Sequence, residues 1–167
     1  RQASRYHVPR IAFVNKMDRV GADYLKCVRS IRERLGANPV CVNLAWGAED
    51  KFIGVIDLIE MKAIRFDEES LGAKFSEEEI PADYRALAQE YREKLVEEVA
   101  GHDDRLTTKY VEGSPISADE LVAAIRRATL AAKVTPVLAS AAFKNKGVQP
   151  VLDAVIRYLP SPLDIPA

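Results

Sequence analysis

The chain has 167 residues, 48% of them hydrophobic and 29% charged, which fits one ordinary globular domain or one domain carrying a substantial insert. Lys and Arg number 24 against 25 Asp and Glu, a formal charge of −1, and this excludes a uniformly basic nucleic-acid binder. No apolar run approaches the ~20 residues of a membrane span, no secretory signal opens the chain, and two cysteines, Cys27 and Cys41, are too few for a disulfide framework. A cytoplasmic location is the expectation.

Arg1 stands where a Met would open a complete chain, and residues 1–7 read as the end of a helix; a fragment is expected. Ile11-Ala12-Phe13-Val14 is a short continuous apolar run of the kind found in strands buried on both faces. Tyr24, Val28, Ile31 and Leu35 then recur at helical spacing, with Asp23 as N-cap and Gly36 as terminator. Val40-Cys41-Val42, residues 54–59 and Ala63-Ile64-Arg65-Phe66 are strand candidates, the last two close enough for a hairpin around Glu60-Met61.

Glu77-Glu78-Glu79 precedes a helix predicted from Pro81 to Val99, where an acidic run suits the N-terminal dipole. Tyr84, Leu87, Ala88, Tyr91, Leu95 and Val99 form that helix's apolar stripe, and its other face carries Glu90, Glu93 and Glu97. Ser117-Ala118-Asp119-Glu120 is a capping box opening another helix, with Leu121, Ile125 and Ala128 inward. Pro136-Val137-Leu138-Ala139 repeats the buried-strand signature, and a helix bearing Val148, Leu152, Val155, Ile156 and Leu159 follows until Pro160 stops it. Strand–loop–helix at both ends implies an α/β fold, with an α+β insert between.

The charge divides along the same line. Residues 49–120 hold 20 acidic and 9 basic side chains, a net of −11, so the remainder carries +10. His7, His102, Cys27 and Cys41 show no metal-ligand spacing, and no metal is expected in this chain.

The most informative segment is Asn15-Lys16-Met17-Asp18, directly after the first strand. A carboxylate there can accept parallel hydrogen bonds from the N1–H and 2-amino group of guanine. Adenine lacks that donor pair, and the mismatch would leave a desolvated carboxylate unpaired. Lys16 can lay its aliphatic stem along the purine, and Asn15 can tie neighbouring loops. Ser140-Ala141-Ala142-Phe143-Lys144, after the second strand, has the small residues that admit a flat ring and backbone N–H groups that suit guanine O6. Both loops leave carboxyl ends of strands, where open α/β sheets bind ligands.

Phe13–Arg19 and Phe143–Gln149 resemble the guanine-recognition segments of translation elongation factor G. Gly47-Ala48-Glu49 through Phe52 and residues 54–59 resemble that family's characteristic insert, and residues 158–162 its exit from the GTP-binding domain. The resemblance runs along essentially the whole chain. Asp18 and Ser140 are 122 positions apart, whereas smaller relatives such as elongation factor Tu join the two motifs more directly. The resemblance implies a P-loop-NTPase-type parallel sheet with flanking helices, residues 1–38 and 133–160 being half of a GTP-binding domain. It implies an inserted subdomain over 39–132 and a linker over 161–167.

Carried residue by residue, Asn15, Lys16, Met17 and Asp18 fall on the base-reading motif, and Ser140, Ala141 and Ala142 on Gly-Ser-Ala of the second. Ala142 then offers the backbone donor. Ala141 replaces the serine whose hydroxyl braces the base-binding Asp, and Ser140 is the candidate substitute one position away. The family implies GTP or GDP as ligand, Mg²⁺ in a full-length parent, and GTP-driven movement of tRNA and mRNA on the ribosome. Its insert meets the stalk protein of the large ribosomal subunit, which makes Glu90, Glu93 and Glu97 candidate partner contacts; a solvated helix face is the other reading. No G-x-x-x-x-G-K-[S/T] occurs in the 167 residues, so this chain alone is expected to lack GTP hydrolysis and to bind nucleotide weakly if at all. Another ribosomal GTPase of the ribosome-protection or release-factor-recycling type, or a non-catalytic acidic interaction module, are the alternatives.

Overall fold

The computed structural model describes residues 2–67, 69–70 and 74–164. A short helix α1 (Gln2–Arg5) leads into β1 (Ala12–Val14) and α2 (Tyr24–Leu35); Arg1, part of the predicted helix end, lies outside the described residues. The caps of α2 are those expected: Asp23 accepts from the amide of Lys26 at 3.0 Å, and Gly36 adopts the left-handed conformation, φ 61°, that glycine adopts without penalty. Then come β2 (Pro39–Cys41), β3 (Asn43–Trp46), β4 (Gly54–Asp57), β5 (Lys62–Phe66) and β6 (Phe75–Glu78). The helices α3 (Ala82–Ala100), α4 (Asp104–Glu112) and α5 (Ala118–Leu130) precede β7 (Thr135–Ala139) and α6 (Val148–Tyr158).

The strands form a parallel sheet in the order β1-β7-β2 and an antiparallel sheet in the order β3-β4-β5-β6. With flanking helices this is an α/β fold built on a parallel sheet, as expected. All five residues of β7, the central strand, are buried. Here the structure departs from the expected grouping. Val40 and Cys41 read as part of the insert, but β2 pairs parallel with β7, Val40 opposite Pro136. The parallel sheet therefore extends past residue 38. Apolar strands look alike in sequence, and only long-range pairing says which sheet owns them.

The chain changes sheets at Val42. Its N–H donates to the carbonyl of Val137 in the parallel sheet, and its carbonyl accepts from Leu58 beside the antiparallel one. The Tyr24 hydroxyl lies 2.9 Å from the Asn43 carbonyl and 3.1 Å from that of Val137, and Asn43 Oδ1 accepts from the Ala139 amide at 2.9 Å. Burial pushes the Tyr24 hydroxyl well above its ordinary pKa and the Cys41 thiol up to about 11. Both are neutral hydrogen-bonding groups at physiological pH.

The predicted hairpin is present as β4–β5, Val55 opposite Ile64. Helix α3 follows Pro81 as expected, and Arg92 on it donates to the carbonyls of Leu58 and Ile59 at 2.5 and 2.7 Å. Helix α5 starts at its Ser117 cap. Strands β3 and β6 and helix α4 have no counterpart among the expected elements. Glu77 and Glu78, read as a helix approach, belong to the edge strand β6, where they meet Lys62 at 3.3 Å and Arg65 at 3.0 Å. Cross-strand charge pairing of this kind offsets weak intrinsic strand preference.

Two expected core faces are uncovered. Phe13, read as buried on both faces of its strand, is half-exposed, and α6 exposes Leu152, Val155 and Ile156 while burying Ala154 and Tyr158. Strand β1 is a sheet edge, and α6 packs on α5 and β7; among the described residues nothing covers these groups. The start of the predicted linker is docked: Asp164 accepts from the Ser161 amide and pairs with Arg126, both at 2.7 Å. Residues 165–167 lie outside the described residues. No helix among the described residues is long and apolar enough to cross a membrane.

Candidate functional site: two loops at the carboxyl ends of parallel strands

Strands β1 and β7 pair directly, Val14 opposite Ala139, so the segments leaving their carboxyl ends emerge side by side. Asn15 and Ser140, 125 positions apart, are brought together by this pairing alone. The Ser140 amide donates to the Val14 carbonyl at 2.9 Å, and the Met17 amide returns to the Ser140 carbonyl at 3.1 Å. The Met17 side chain is only 1% exposed. It is the apolar anchor of its loop, between an exposed Lys16 and a half-buried Asp18. Lys16 takes a left-handed backbone, φ 62°, which for a non-glycine residue costs on the order of 1 kcal/mol or more and recurs at binding sites.

Asn15 joins the loops through its carboxamide. Its Oδ1 accepts from the Ala142 amide at 2.9 Å and lies 3.5 Å from the Ser140 hydroxyl. Two expectations change here. The Ala142 N–H, expected to face the base, is held by Asn15, so a base carbonyl would have to share or replace that acceptor. Ser140, the candidate brace for Asp18, turns its hydroxyl to Asn15. The group beside Asp18 is the Lys144 ammonium, 3.5 Å from Oδ2. Ala141 is buried and supplies only its backbone: its N–H donates to the Lys146 carbonyl at 2.8 Å, and its carbonyl accepts from the Lys146 amide at 3.1 Å.

A turn over Ala142–Lys144 carries the second loop, ending on Asn145 and Gly147 in left-handed conformations. Gly147 has φ 78°, and a Cβ there would lie 2.9 Å from the Ala139 carbonyl oxygen. Only glycine permits this close return to β7. All seven residues expected to bind the base thus sit at one place. Lys144, Glu49 and Lys146 join them there; all three lie in segments that carry the resemblance, but none is among the expected site residues. Glu49 donates its amide to the Met17 carbonyl at 2.8 Å, and its carboxylate accepts from the Gly21 amide at 2.9 Å.

The candidate partner residues lie elsewhere, on the exposed side of α3. Glu90 is paired with Lys94 at 2.6 Å, Glu93 accepts from Gln89 at 3.0 Å, and Glu97 lines a groove between α2 and α3. Part of the acidic face is therefore neutralised within its own helix. Among the described residues, no three His, Cys, Asp or Glu side chains gather as a metal ion would require.

A profile of the elongation factor Tu GTP binding domain matches residues 1–161. The chain belongs to this family. That family is the GTP-binding domain of translational GTPases. A solved chain from Thermus thermophilus is similar over 97% of the present chain, with 29% identity and a TM-score of 0.83. The match spans only 24% of that longer protein, about a quarter of its length.

Proposed function

We propose that the two loops read guanine, within a translational GTPase of the elongation-factor-G type that moves tRNA and mRNA on the ribosome. Asp18 takes the N1–H and 2-amino donors, Lys16 lies along the ring, Met17 anchors the loop, and Asn15, Ser140, Ala141 and Ala142 shape the other wall. The observation that carries this reading is the reciprocal bonding of the loops, Met17 to Ser140 and Ala142 to Asn15, which supports one shared site with Asp18 next to a bonded position. Phosphate and Mg²⁺ contacts belong to segments of a longer parent. The uncovered apolar groups Phe13, Leu152, Val155 and Ile156 support that view, since a completed sheet would bury them. In the same reading residues 42–132 approximate the inserted subdomain, and the protein works in the cytoplasm.

Titration of the full chain with GDP and with ADP, followed by amide NMR, tests this. GDP should shift Asp18 and Ala142 with a Kd of about 1 mM, near −4 kcal/mol, because most affinity for a nucleotide resides in its phosphates. ADP should leave both amides unmoved. Equal responses to the two would defeat the guanine reading, and GTP turnover by this chain would defeat the assignment of phosphate chemistry to other segments.

The insert's acidic helix is proposed to meet the ribosomal stalk protein through Glu90, Glu93 and Glu97. Reversing these charges together should weaken binding of that protein about tenfold at low ionic strength, with the difference fading as salt screens it. Unchanged binding and salt dependence would leave α3 as a solvated face.

A further inference from the structure

The segment Gly47–Phe52 connects β3 to β4, yet it bonds to both guanine loops. At one end Glu49 holds the first loop twice, amide to the Met17 carbonyl at 2.8 Å and carboxylate from the Gly21 amide at 2.9 Å. At the other, the Phe52 carbonyl accepts from the ammonium of Lys146 at 2.9 Å, and the Lys146 backbone forms the bridge that shapes the second loop with Ala141. Lys146 is 6% exposed. Burying an ammonium is costly unless it is bonded, so a lysine here serves an attachment rather than solubility.

The segment is stiff. Phe52 is fully buried, edge-on to Phe66 with centroids 6.1 Å apart. Gly47 has φ 78°, and a Cβ on it would fall 1.9 Å from the Lys51 carbonyl oxygen. Glu49 also has positive φ, 58°, a strain that persists where surrounding bonds over-determine the conformation. A third attachment runs to the insert's long helix, because the Gly47 amide donates to the Tyr84 hydroxyl on α3 at 2.9 Å. A continuous chain of bonds therefore runs from α3 through the strap to both base-contacting loops.

Building on the guanine reading above, we infer that Glu49 and Lys146 are positioning residues for base recognition, and that the strap transmits displacement of α3 to the placement of Asp18. Glu49 fixes the turn that follows Asp18, and Lys146 fixes the loop that carries Ala142. Neither need touch the nucleotide. A load on α3, such as a docked protein, would then alter guanine selectivity through Tyr84 and Gly47.

The test compares GDP with inosine diphosphate, which lacks only the 2-amino group, so their affinity ratio reports how well Asp18 is placed. The full chain is titrated by NMR as wild type, Glu49→Ala, Glu49→Gln, Lys146→Met and Tyr84→Phe. The expected result is a GDP affinity about tenfold lower in Glu49→Ala, so that saturation at four times the wild-type Kd falls from about 80% to about 30%. The GDP-to-IDP ratio should fall several-fold, and the Gly21 amide should exchange faster. Glu49→Gln keeps an acceptor oxygen and should recover most of the ratio; Lys146→Met should lower it from the other loop, and Tyr84→Phe by a smaller factor. A general loss of stability would weaken both nucleotides alike. Ratios unchanged in both Glu49→Ala and Lys146→Met would overturn the inference while leaving base reading intact, and an unchanged ratio in Tyr84→Phe alone would overturn the link to α3. A wild-type ratio of one would instead defeat the guanine reading itself.

Discussion

Asp18→Asn is expected to exchange guanine for xanthine. Guanine offers two donors on the edge that faces residue 18, and a carboxylate accepts both. A carboxamide offers one acceptor and one donor, so its NH₂ would point at the guanine 2-amino group and neither would be satisfied. Xanthine carries a carbonyl there and restores both bonds with asparagine. Losing one good bond and burying a donor–donor mismatch costs roughly 2–4 kcal/mol, about 30- to 1000-fold. Against a millimolar starting Kd, GDP binding by the variant should vanish from the titration and xanthosine diphosphate should shift Ala142 instead. The fold should not suffer: the ion pair removed with Asp18 is 3.5 Å long, and its Lys144 partner is half-exposed, a pair worth under about 1 kcal/mol. If the asparagine variant still prefers GDP, residue 18 does not face the base's N1–N2 edge.

Gly54→Ala should produce the largest loss of stability. Gly54 lies on β4, an inner strand of the antiparallel sheet, opposite Trp46 on one side and Arg65 on the other. A Cβ added there would lie 2.1 Å from the Ile64 carbonyl oxygen and 2.9 Å from the Trp46 ring. The first contact is backbone and cannot rotate away, so β4 and β5 must separate locally. The second would displace a ring that is itself capped by the Arg65 guanidinium, 4.5 Å from its centroid. Overpacking of this kind costs typically 1–3 kcal/mol. With disrupted ladder bonds, about 2–4 kcal/mol is expected, a fall of roughly 5–15 °C in Tm for a chain of this size. Thermal unfolding followed by circular dichroism measures it. A shift below about 2 °C would mean that the sheet accommodates the methyl group and that the close approach is not needed.

The legible parts of the fold share a physical feature: their determinants are local. Asp23 and Ser117 cap helices because an acceptor lies three residues before an unpaired amide. The β4–β5 hairpin follows from two short apolar runs with a tight turn between. Strand β6 and helix α4 escape such a reading for the complementary reason. Glu77 and Glu78 become strand residues only because Lys62 and Arg65 stand opposite, and Asp103, which caps α4, is held by Arg127 from α5 at 2.6 Å. Leu152 and Ile156 show how periodicity overreaches. They mark an apolar face correctly, but a pattern does not contain the neighbour that would cover it.

At the site the division is sharper. By itself the sequence determined which groups are available: a carboxylate, a lysine and an amide after one buried strand, small residues after another, and opposed charge in insert and remainder. Such properties need only composition and order. Tertiary structure alone decided their arrangement. Pairing of β1 with β7 sets Asn15 against Ala142, turns Ser140 from Asp18 to Asn15, and leaves Lys144 beside the carboxylate. It also decided that Val40 and Cys41 belong to the parallel sheet, and that Glu49 and Lys146 hold the two loops from behind. Each of these is a contact between residues far apart in the chain, set by strand pairing and core packing rather than by any spacing in the sequence.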